Sequence, residues 1–453
     1  MKNLREVSEF LNNYINYEKR LERVIYNPET FNLEGFRKFL DLLNNPQKNY
    51  PSIHIAGTKG KGSTGALLEA ALGNAGFFTG LYTSPHIHSW LERMRVCGEA
   101  VSEDLFVDVM NRLRNLMEES WIFPEKRYRT VFELVTAAAF IIFREKKVDT
   151  AVMETGLGGR LDATNVITPA LSIITAIGME HTHLLGDTIE EITAEKAGII
   201  KPGVPVLVSG QQSSYHQSVM TVLQRNAAEK ESELFEAGDL ISIEHRNPRI
   251  GAGGQRIHLR VKDGREYHLD LPLSGPRQAE NCRTAIAALV ILEKSGWNLD
   301  MECAIKGIRK VKWPGRFQLV SEEPPIVIDA AHCPLSIRSL CETMDETYPE
   351  REKIVLLGVL KGKNAKKMAE ELAQDRSIRK LIVFPAPSKR GKPVEELSEE
   401  IRNYFPGLIQ AGSLEEAIRI SMEKMKENDA IIVAGSIYNL DGAERIIKSI
   451  KVK

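Results

Sequence analysis

A strand-like run, Ile53-His54-Ile55-Ala56, leads into Gly57-Thr58-Lys59-Gly60-Lys61-Gly62-Ser63-Thr64 and then into an apolar helical stretch, Ala66 to Ala75. A glycine-dense turn at a helix start lets backbone N–H groups close around a phosphate, and the helix dipole favours the negative charge. Lys61 adds a mobile cation. Ser63 or Thr64 adds a hydroxyl where a phosphate or its Mg²⁺ would sit. The strict pattern G-x-x-x-x-G-K-[ST] is not met, because Ile55 stands where the first glycine belongs and Gly62 separates Lys61 from Ser63. The plain alternative is a glycine turn before an ordinary helix. Strand, loop and helix in succession favour phosphate.

Other reactive groups follow strand-like runs. They are Thr83-Ser84-Pro85-His86, Glu154-Thr155-Gly156-Leu157-Gly158-Gly159-Arg160 and Glu180-His181-Thr182-His183. In open parallel sheets, ligands bind beyond the carboxyl ends of the strands. Mg²⁺ takes one or two protein oxygens and keeps positions for phosphate and water. The hydroxyl of Ser84, the carboxylate of Glu154 and the imidazole of His181 make a partial shell of that kind. Alone, Ser84 before Pro85 reads as a turn residue and Glu154 as a paired or solvated charge; placed together beside a phosphate loop, they favour the metal. His183 reads as a loop histidine. Lys196, in Glu195-Lys196-Ala197-Gly198-Ile199, admits three readings. It pairs with phosphate, it becomes an anionic carbamate with CO2, or it is a helix-surface lysine near Glu191 or Glu195.

The elements that must position these groups are those of an α/β chain. Short β-branched runs, at 150–153, 171–175 and 204–208, alternate with helical stretches such as 131–146 and 189–196. Alternating strands surround Asp263-Gly264, a hairpin signal, between about 240 and 271. Gly251-Ala252-Gly253-Gly254 reads as a strand connection, since no helix follows it. A helix over 278–293 closes the first half. A second α/β pattern has strands at 326–328, 353–357, 380–384 and 430–433. The stretch 298–315 is the expected hinge between them. At 453 residues the chain is too long for one typical core. Its hydrophobic content of 43% and charged content of 27% are those of a globular protein, and a net charge of -1 offers no field for nucleic acid or an anionic membrane. Five cysteines without a C-x-x-C pair fit reduced thiols. No signal peptide and no membrane span are expected, so the reading is cytoplasmic.

Six motifs occur in order: Gly57 through Ser63; the run E-T-G-L-G-G-R-L-D-A-T-N from Glu154 to Asn165; His181 with Leu185-Gly186; Glu195-Lys196-Ala197-Gly198-Ile199; Pro314-Gly315-Arg316-Phe317; and Asp329-Ala330-Ala331-His332. Together they resemble the folylpolyglutamate synthase and dihydrofolate synthase family of the Mur ligase superfamily, from about residue 30 to 440. The resemblance implies an N-terminal P-loop ATP-binding domain of the Mur-ligase type with a mostly parallel sheet (1–297), a linker (298–315) and a smaller Rossmann-like α/β glutamate-ligase domain (316–453).

It also implies a reaction, in which ATP phosphorylates a carboxylate and L-glutamate attacks the acyl phosphate to form an amide. By that resemblance Gly57, Thr58, Lys59, Gly60, Lys61, Gly62 and Ser63 cradle the ATP phosphates, with Asn281, Arg316 and Asp329 as further ATP contacts. Ser84, Glu154 and His181 match the Mg²⁺ ligands, and Lys196 matches the carbamylated lysine. Thr130, Phe132, Leu161, Asp162 and Ala163 match the pterin region, and His332 and Ser436 lie near the incoming glutamate. Lys61, His332 and Lys196 are the implied catalytic groups. Three departures stand out: Lys59 where Asn is common, Glu180 where Asp is common, and Cys333 where Asn usually follows the histidine. Asn32-Leu33-Glu34 matches the pterin-binding N-terminal segment too loosely for a role. A monomer handling only small molecules (ATP, L-glutamate, and folate or dihydropteroate) is expected. A Mur-type cell-wall peptide ligase and a non-ligase P-loop switch are the alternatives. The choice between dihydropteroate and reduced folate stays open.

Overall fold

The β-branched runs become strands buried on both faces, as a parallel sheet covered by helices requires. The computed structural model describes residues 1–17, 25–119, 129–250 and 253–451. Two compact units divide the chain, one of residues 1–243, 259–267 and 280–311, the other of 244–258, 268–279 and 312–453.

The first unit holds strands β1 (Ser52–Ala56), β2 (Thr79–Tyr82), β3 (Met94–Val96), β4 (Glu99–Ala100), β5 (Thr150–Glu154), β6 (Leu171–Ile174), β7 (Val206–Val208) and β8 (Leu234–Glu236). Their order in the sheet is β4-β3-β2-β5-β1-β6-β7-β8. Pairing is parallel from β2 through β8 and antiparallel for β2–β3 and β3–β4. The run expected over 204–208 narrows to β7, because Pro205 has no N–H for the ladder.

The helix Val131–Lys146 matches its expected bounds. Thr130 and Glu133 form a capping box at its start, and Lys147 ends it at φ 55°. Leu134, Phe140, Ile142 and Phe143 are fully buried in one cluster with Phe36, Phe39 and Phe106. Each such side chain contributes roughly 1.5–3 kcal/mol on burial. Gly80 on β2 is required there, since a Cβ would lie 2.9 Å from the Phe143 ring.

In the second unit, β12 (Gln318–Ser321), β13 (Ile326–Ile328), β14 (Glu352–Leu357), β15 (Ile378–Val383), β16 (Ile409–Gln410) and β17 (Asp429–Ala434) form a sheet of order β12-β13-β17-β14-β15-β16. Only β12–β13 is antiparallel. The buried Lys353 ammonium is held by Asp345 and by Asp375 at 2.7 Å. A charge this deep persists only when paired.

A separate three-stranded sheet runs β11-β10-β9, from β9 (Ile241–Pro248), β10 (Gln255–Val261) and β11 (Glu266–Leu271). Gly264, at φ 95°, makes the expected turn between β10 and β11. Gly251 and Ala252 of the other connection lie outside the described residues. All five cysteines are free thiols. Among the described residues no helix is long and apolar enough to cross a membrane.

The stretch 298–315 carries the helix Met301–Ile308, which packs on the helix Lys61–Asn74. Asn74 clamps the contact, donating to the Cys303 carbonyl at 2.7 Å and accepting from Lys310 Nζ at 2.8 Å. Gly307 lets the backbones meet, since a Cβ there would strike the Ala70 carbonyl oxygen. Alanine favours a helix over glycine by about 1 kcal/mol, but overpacking costs about 1–3 kcal/mol. Backbone cannot rotate away, so the clash wins. Gly307→Ala is expected to lower stability by up to about 2 kcal/mol. A fall in the thermal unfolding midpoint checks this; an unchanged or higher midpoint refutes it.

Candidate active site

The glycine loop leaves β1 and turns under the helix Lys61–Asn74. Thr58 and Lys59 both donate their N–H to the Ala176 carbonyl, at 2.9 and 3.1 Å. Gly60, at φ 95°, is the residue before the helix. Only glycine fits it, because a Cβ would meet the Asn281 side chain. The first intrahelical bond of that turn runs from Thr64 N–H to the Gly60 carbonyl at 2.8 Å. The N–H groups of Lys61, Gly62 and Ser63 precede it and are aligned at the positive end of the helix. The helix thus begins at Lys61 rather than near Ala66, which sets these residues in its first turn.

Lys61 Nζ donates to the Gly57 carbonyl at 3.1 Å and lies 3.8 Å from Glu154 Oε1. Glu154 ends β5, and its Oε2 accepts the Ser84 N–H at 3.2 Å. The structure therefore brings Lys61, Glu154 and Ser84 together. The two departures at 59 and 180 also meet, as an ion pair of 3.0 Å between Lys59 and Glu180. His181, at φ 54°, precedes the short helix Thr182–Leu185, which contains His183. The donor set of a hydroxyl, a carboxylate and an imidazole on Ser84, Glu154 and His181 suits a Mg²⁺ that also binds phosphate.

Lys196 is not on a helix surface. It is 4% exposed, and its Nζ donates to the same Gly57 carbonyl at 3.0 Å. Two lysines on one oxygen cannot both stay charged cheaply. Burial first, and then the Lys61 charge, push the Lys196 amine down to about 7.

The run from Glu154 to Asn165 ties this centre to a cleft. Asp162 accepts from the Gly156 and Leu157 N–H groups, both at 2.9 Å, and from Thr164 N–H and Oγ1 at 3.0 and 2.5 Å. Burial raises its pKa, and these donors oppose the rise. Its oxygens are occupied by the loop, so its part is to hold that loop. Behind it, His54 Nε2 bonds Thr164 Oγ1 at 2.8 Å, and burial lowers the His54 pKa to about 3, which keeps the ring neutral. Gly159 must be glycine, since a Cβ would lie 2.8 Å from the Glu195 and Lys196 carbonyls. Arg160 seals the approach through its N–H to the Glu195 carbonyl at 2.8 Å and a 2.7 Å ion pair with Glu195.

The cleft is open to solvent, with a cavity volume of about 100 Å³, and Thr130, Phe132, Leu161, Asp162, Ala163 and His181 all line it. Gly156 makes room for the Phe132 ring. Sequence reasoning missed Tyr17, Phe31, Leu33 and Glu133 on the same walls. Tyr17 and Phe31 rings meet at 4.8 Å, and Asn32 caps the helix Leu33–Leu42. That cap beside two aromatics was the available signal. Glu133 accepts from Arg129 Nη1 at 2.9 Å and Thr130 N–H at 2.7 Å, and burial raises its pKa.

In the second unit, the carboxyl ends of β13 and β17 gather the remaining groups. Asp329 accepts from the Phe317 and Ala331 N–H groups, each at 2.7 Å. Arg316 Nη1 donates to the Gly315 carbonyl at 3.0 Å. His332 Nδ1 bonds the Ala330 carbonyl at 2.8 Å, and since a carbonyl only accepts, Nδ1 is the donor. Ser436 is buried and accepts the Tyr438 N–H at 3.2 Å. The Gly435 N–H to Ala331 carbonyl bond of 2.7 Å holds the two strand ends together.

Residues 55–289 match the Mur ligase middle domain, and residues 315–437 match the Mur ligase glutamate ligase domain. The chain is 31% identical to dihydrofolate synthase/folylpolyglutamate synthase of Bacillus subtilis, covering 92% of this chain and 95% of that one. It is likewise 31% identical to folylpolyglutamate synthase of Lacticaseibacillus casei, over 94% and 97% of the two chains. The Mycobacterium tuberculosis folylpolyglutamate synthase complexed with ADP and AMPPCP superposes with a TM-score of 0.86 at 28% identity, over 98% of each chain. An FPGS–AMPPCP–folate complex gives 0.83 at 29%, over 98% and 99%. With these matches over nearly its whole length, and with the phosphate loop, carboxylate and cleft in place, the chain belongs to the folylpolyglutamate synthase/dihydrofolate synthase family of Mur ligases.

Proposed function

We propose that the chain is an ATP-dependent ligase that adds L-glutamate to a reduced folate, with dihydropteroate as a second acceptor. One observation carries this reading. A single loop starts at Glu154, 3.8 Å from the phosphate-loop lysine, and continues into the wall of an aromatic cleft. Phosphate chemistry and a flat, partly apolar acceptor are thereby served by one backbone segment.

The acceptor carboxylate attacks the γ-phosphorus of ATP, ADP departs, and an acyl phosphate forms. The glutamate amine attacks the acyl carbon, loses a proton and expels phosphate. The N–H groups of Lys61, Gly62 and Ser63 and the Lys61 ammonium bind the phosphates, while Thr58 and Lys59 spend their N–H groups on the Ala176 carbonyl and so fix the turn. Preorganised donors of this kind stabilise charge that develops in transfer. Ser84, Glu154 and His181 would hold Mg²⁺, which neutralises phosphate charge when bound. Thr130, Phe132, Leu161 and Ala163 orient the acceptor, and Asp162 fixes their loop. Asn281, Arg316 and Asp329 are proposed nucleotide contacts. His332 and Ser436 are assigned to the incoming glutamate, with His332 Nε2 taking the amine proton. We assign phosphate and acceptor binding to residues 1–297, glutamate ligation to 316–453 and the connection to 298–315, in a cytoplasmic monomer.

Mass spectrometry of products made from ATP, Mg²⁺, glutamate and either acceptor tests the function. Tetrahydrofolate is expected to gain glutamate units and dihydropteroate one. No extension of tetrahydrofolate refutes the primary activity. Lys61→Ala and Glu154→Ala are each expected to lower turnover by about 10²–10³ with unchanged circular dichroism. Near-parental turnover in either variant removes these residues from the centre.

Lys196 supports a carbamate. A neutral amine attacks CO2, a C–N bond forms, and one proton leaves to give an anion in place of a buried cation. Lys61 and Lys59 oppose a charged amine at this position, and Glu180 and Asp162 favour one. Since protonation removes the nucleophile, activity is expected to fall as pH drops below about 7. Labelling with ¹³C-bicarbonate is expected to give a carbamate signal that is absent in Lys196→Ala. An active enzyme without that signal refutes the modification.

A further inference from the structure

We propose that the exposed face of the β9–β11 sheet binds a divalent transition-metal ion between the imidazoles of His258 and His268, with the Glu266 carboxylate as a further ligand. This site is independent of the ligase reading. It uses none of the residues placed in the phosphate loop, the cleft or the strand ends of the second unit.

Strand alternation puts the three groups on one face. Ile257, Leu259 and Val261 on β10 and Tyr267, Leu269 and Leu271 on β11 are buried. Residues 258, 266 and 268 therefore project from the opposite side. The His258 and His268 rings stack with centroids 4.0 Å apart and planes 14° from parallel. One ligand atom from each of His258, Glu266 and His268 lies within 4.8 Å of the other two. An ion about 2.0–2.1 Å from each imidazole nitrogen spans a nitrogen separation of roughly 3–4 Å. The three ligand atoms already lie within 4.8 Å of one another, and the two rings must turn out of their stack for their in-plane lone pairs to converge on one ion.

Ligand chemistry selects the ion. Two imidazoles and one carboxylate suit Zn²⁺, Ni²⁺ or Cu²⁺, whereas Mg²⁺ seeks oxygen. Glu266 Oε1 also accepts from Arg260 Nε at 2.9 Å. A carboxylate has about four lone-pair sites, so this bond orients Glu266 and leaves capacity for a metal. His245 on β9 continues the row, its ring 5.9 Å from that of His258. It lies outside the three-ligand set and flanks the ion as a third imidazole. On the same face Asp270 is paired with Arg249 at 2.7 Å and Arg256 at 3.1 Å, which takes these guanidinium charges out of competition with the cation. The bound ion would staple β10 to β11 across their turn.

The test uses the full chain without an affinity tag, in excess Mg²⁺. Titration with ZnCl2 is expected to show one ion per chain. His258→Gln and His268→Gln are each expected to weaken it by about tenfold or more. Both variants should keep the parental circular dichroism and the parental ligase turnover in Mg²⁺ alone. With CuCl2, electron paramagnetic resonance is expected to show nitrogen coupling from two imidazoles, reduced in either variant. His181→Ala is expected to leave this binding intact. Unaltered affinity in the two sheet variants, loss of binding in His181→Ala alone, oxygen-only copper coupling, or no binding at all would each overturn the site.

Discussion

Backbone meets backbone at Gly159, and the arrangement of the first unit's site depends on that contact. With no side chain at this position, the loop after β5 reaches the carbonyls of Glu195 and Lys196. Gly198 repeats the economy from the other side, where a Cβ would meet the Arg160 backbone. The helix Ile189–Ala197 is thereby pulled against the loop, and Lys196 is delivered beneath Gly57. Glycine in both positions costs backbone entropy. What it secures is a fixed distance between a buried amine and a phosphate-binding turn.

The interior around this contact is polar, and most of its groups are bonded to one another, with His54 Nδ1 and Asn165 Oδ1 the exceptions among those named here. Asp162 saturates the loop's N–H groups, Thr164 links Asp162 to His54, and Asn165 donates to the Arg160 and Gly198 carbonyls at 3.0 Å. Each member would leave a buried partner unsatisfied if removed, a loss of roughly 1–3 kcal/mol per group. Such a network resists rearrangement, because moving Asp162 or Thr164 would strand several buried donors at once. That rigidity suits a site that must aim a carboxylate at a phosphorus atom.

Much of this was legible in the chain itself. The helix Val131–Lys146 announced its start through Thr130 and Glu133, and the continuous apolar runs of β5 and β6 announced a covered parallel sheet. The glycine loop was readable as chemistry because its residues are adjacent in sequence. The aromatic wall was not. Tyr17 and Phe31 lie more than a hundred residues before Phe132, and nothing local marks an aromatic as facing a cleft rather than a core. Lys196 was ambiguous for a related reason, since its neighbours Glu191 and Glu195 make a surface helix look natural. Only tertiary packing shows that it points inward. The histidines of β10 and β11 were equally silent, because their pairing depends on strand register.

One hydroxyl in the second unit serves two masters. Ser336 Oγ accepts the N–H of His332 at 3.0 Å and that of Cys333 at 3.1 Å. Cys333 and Ser336 share the start of the helix Pro334–Thr347 in a capping box, with Sγ 3.2 Å from Oγ, and a cysteine stands in a place where an amide is usual. The backbone of the histidine is tied to a serine four residues downstream and its ring to the Ala330 carbonyl, so the aim of the imidazole is set from both sides of the chain.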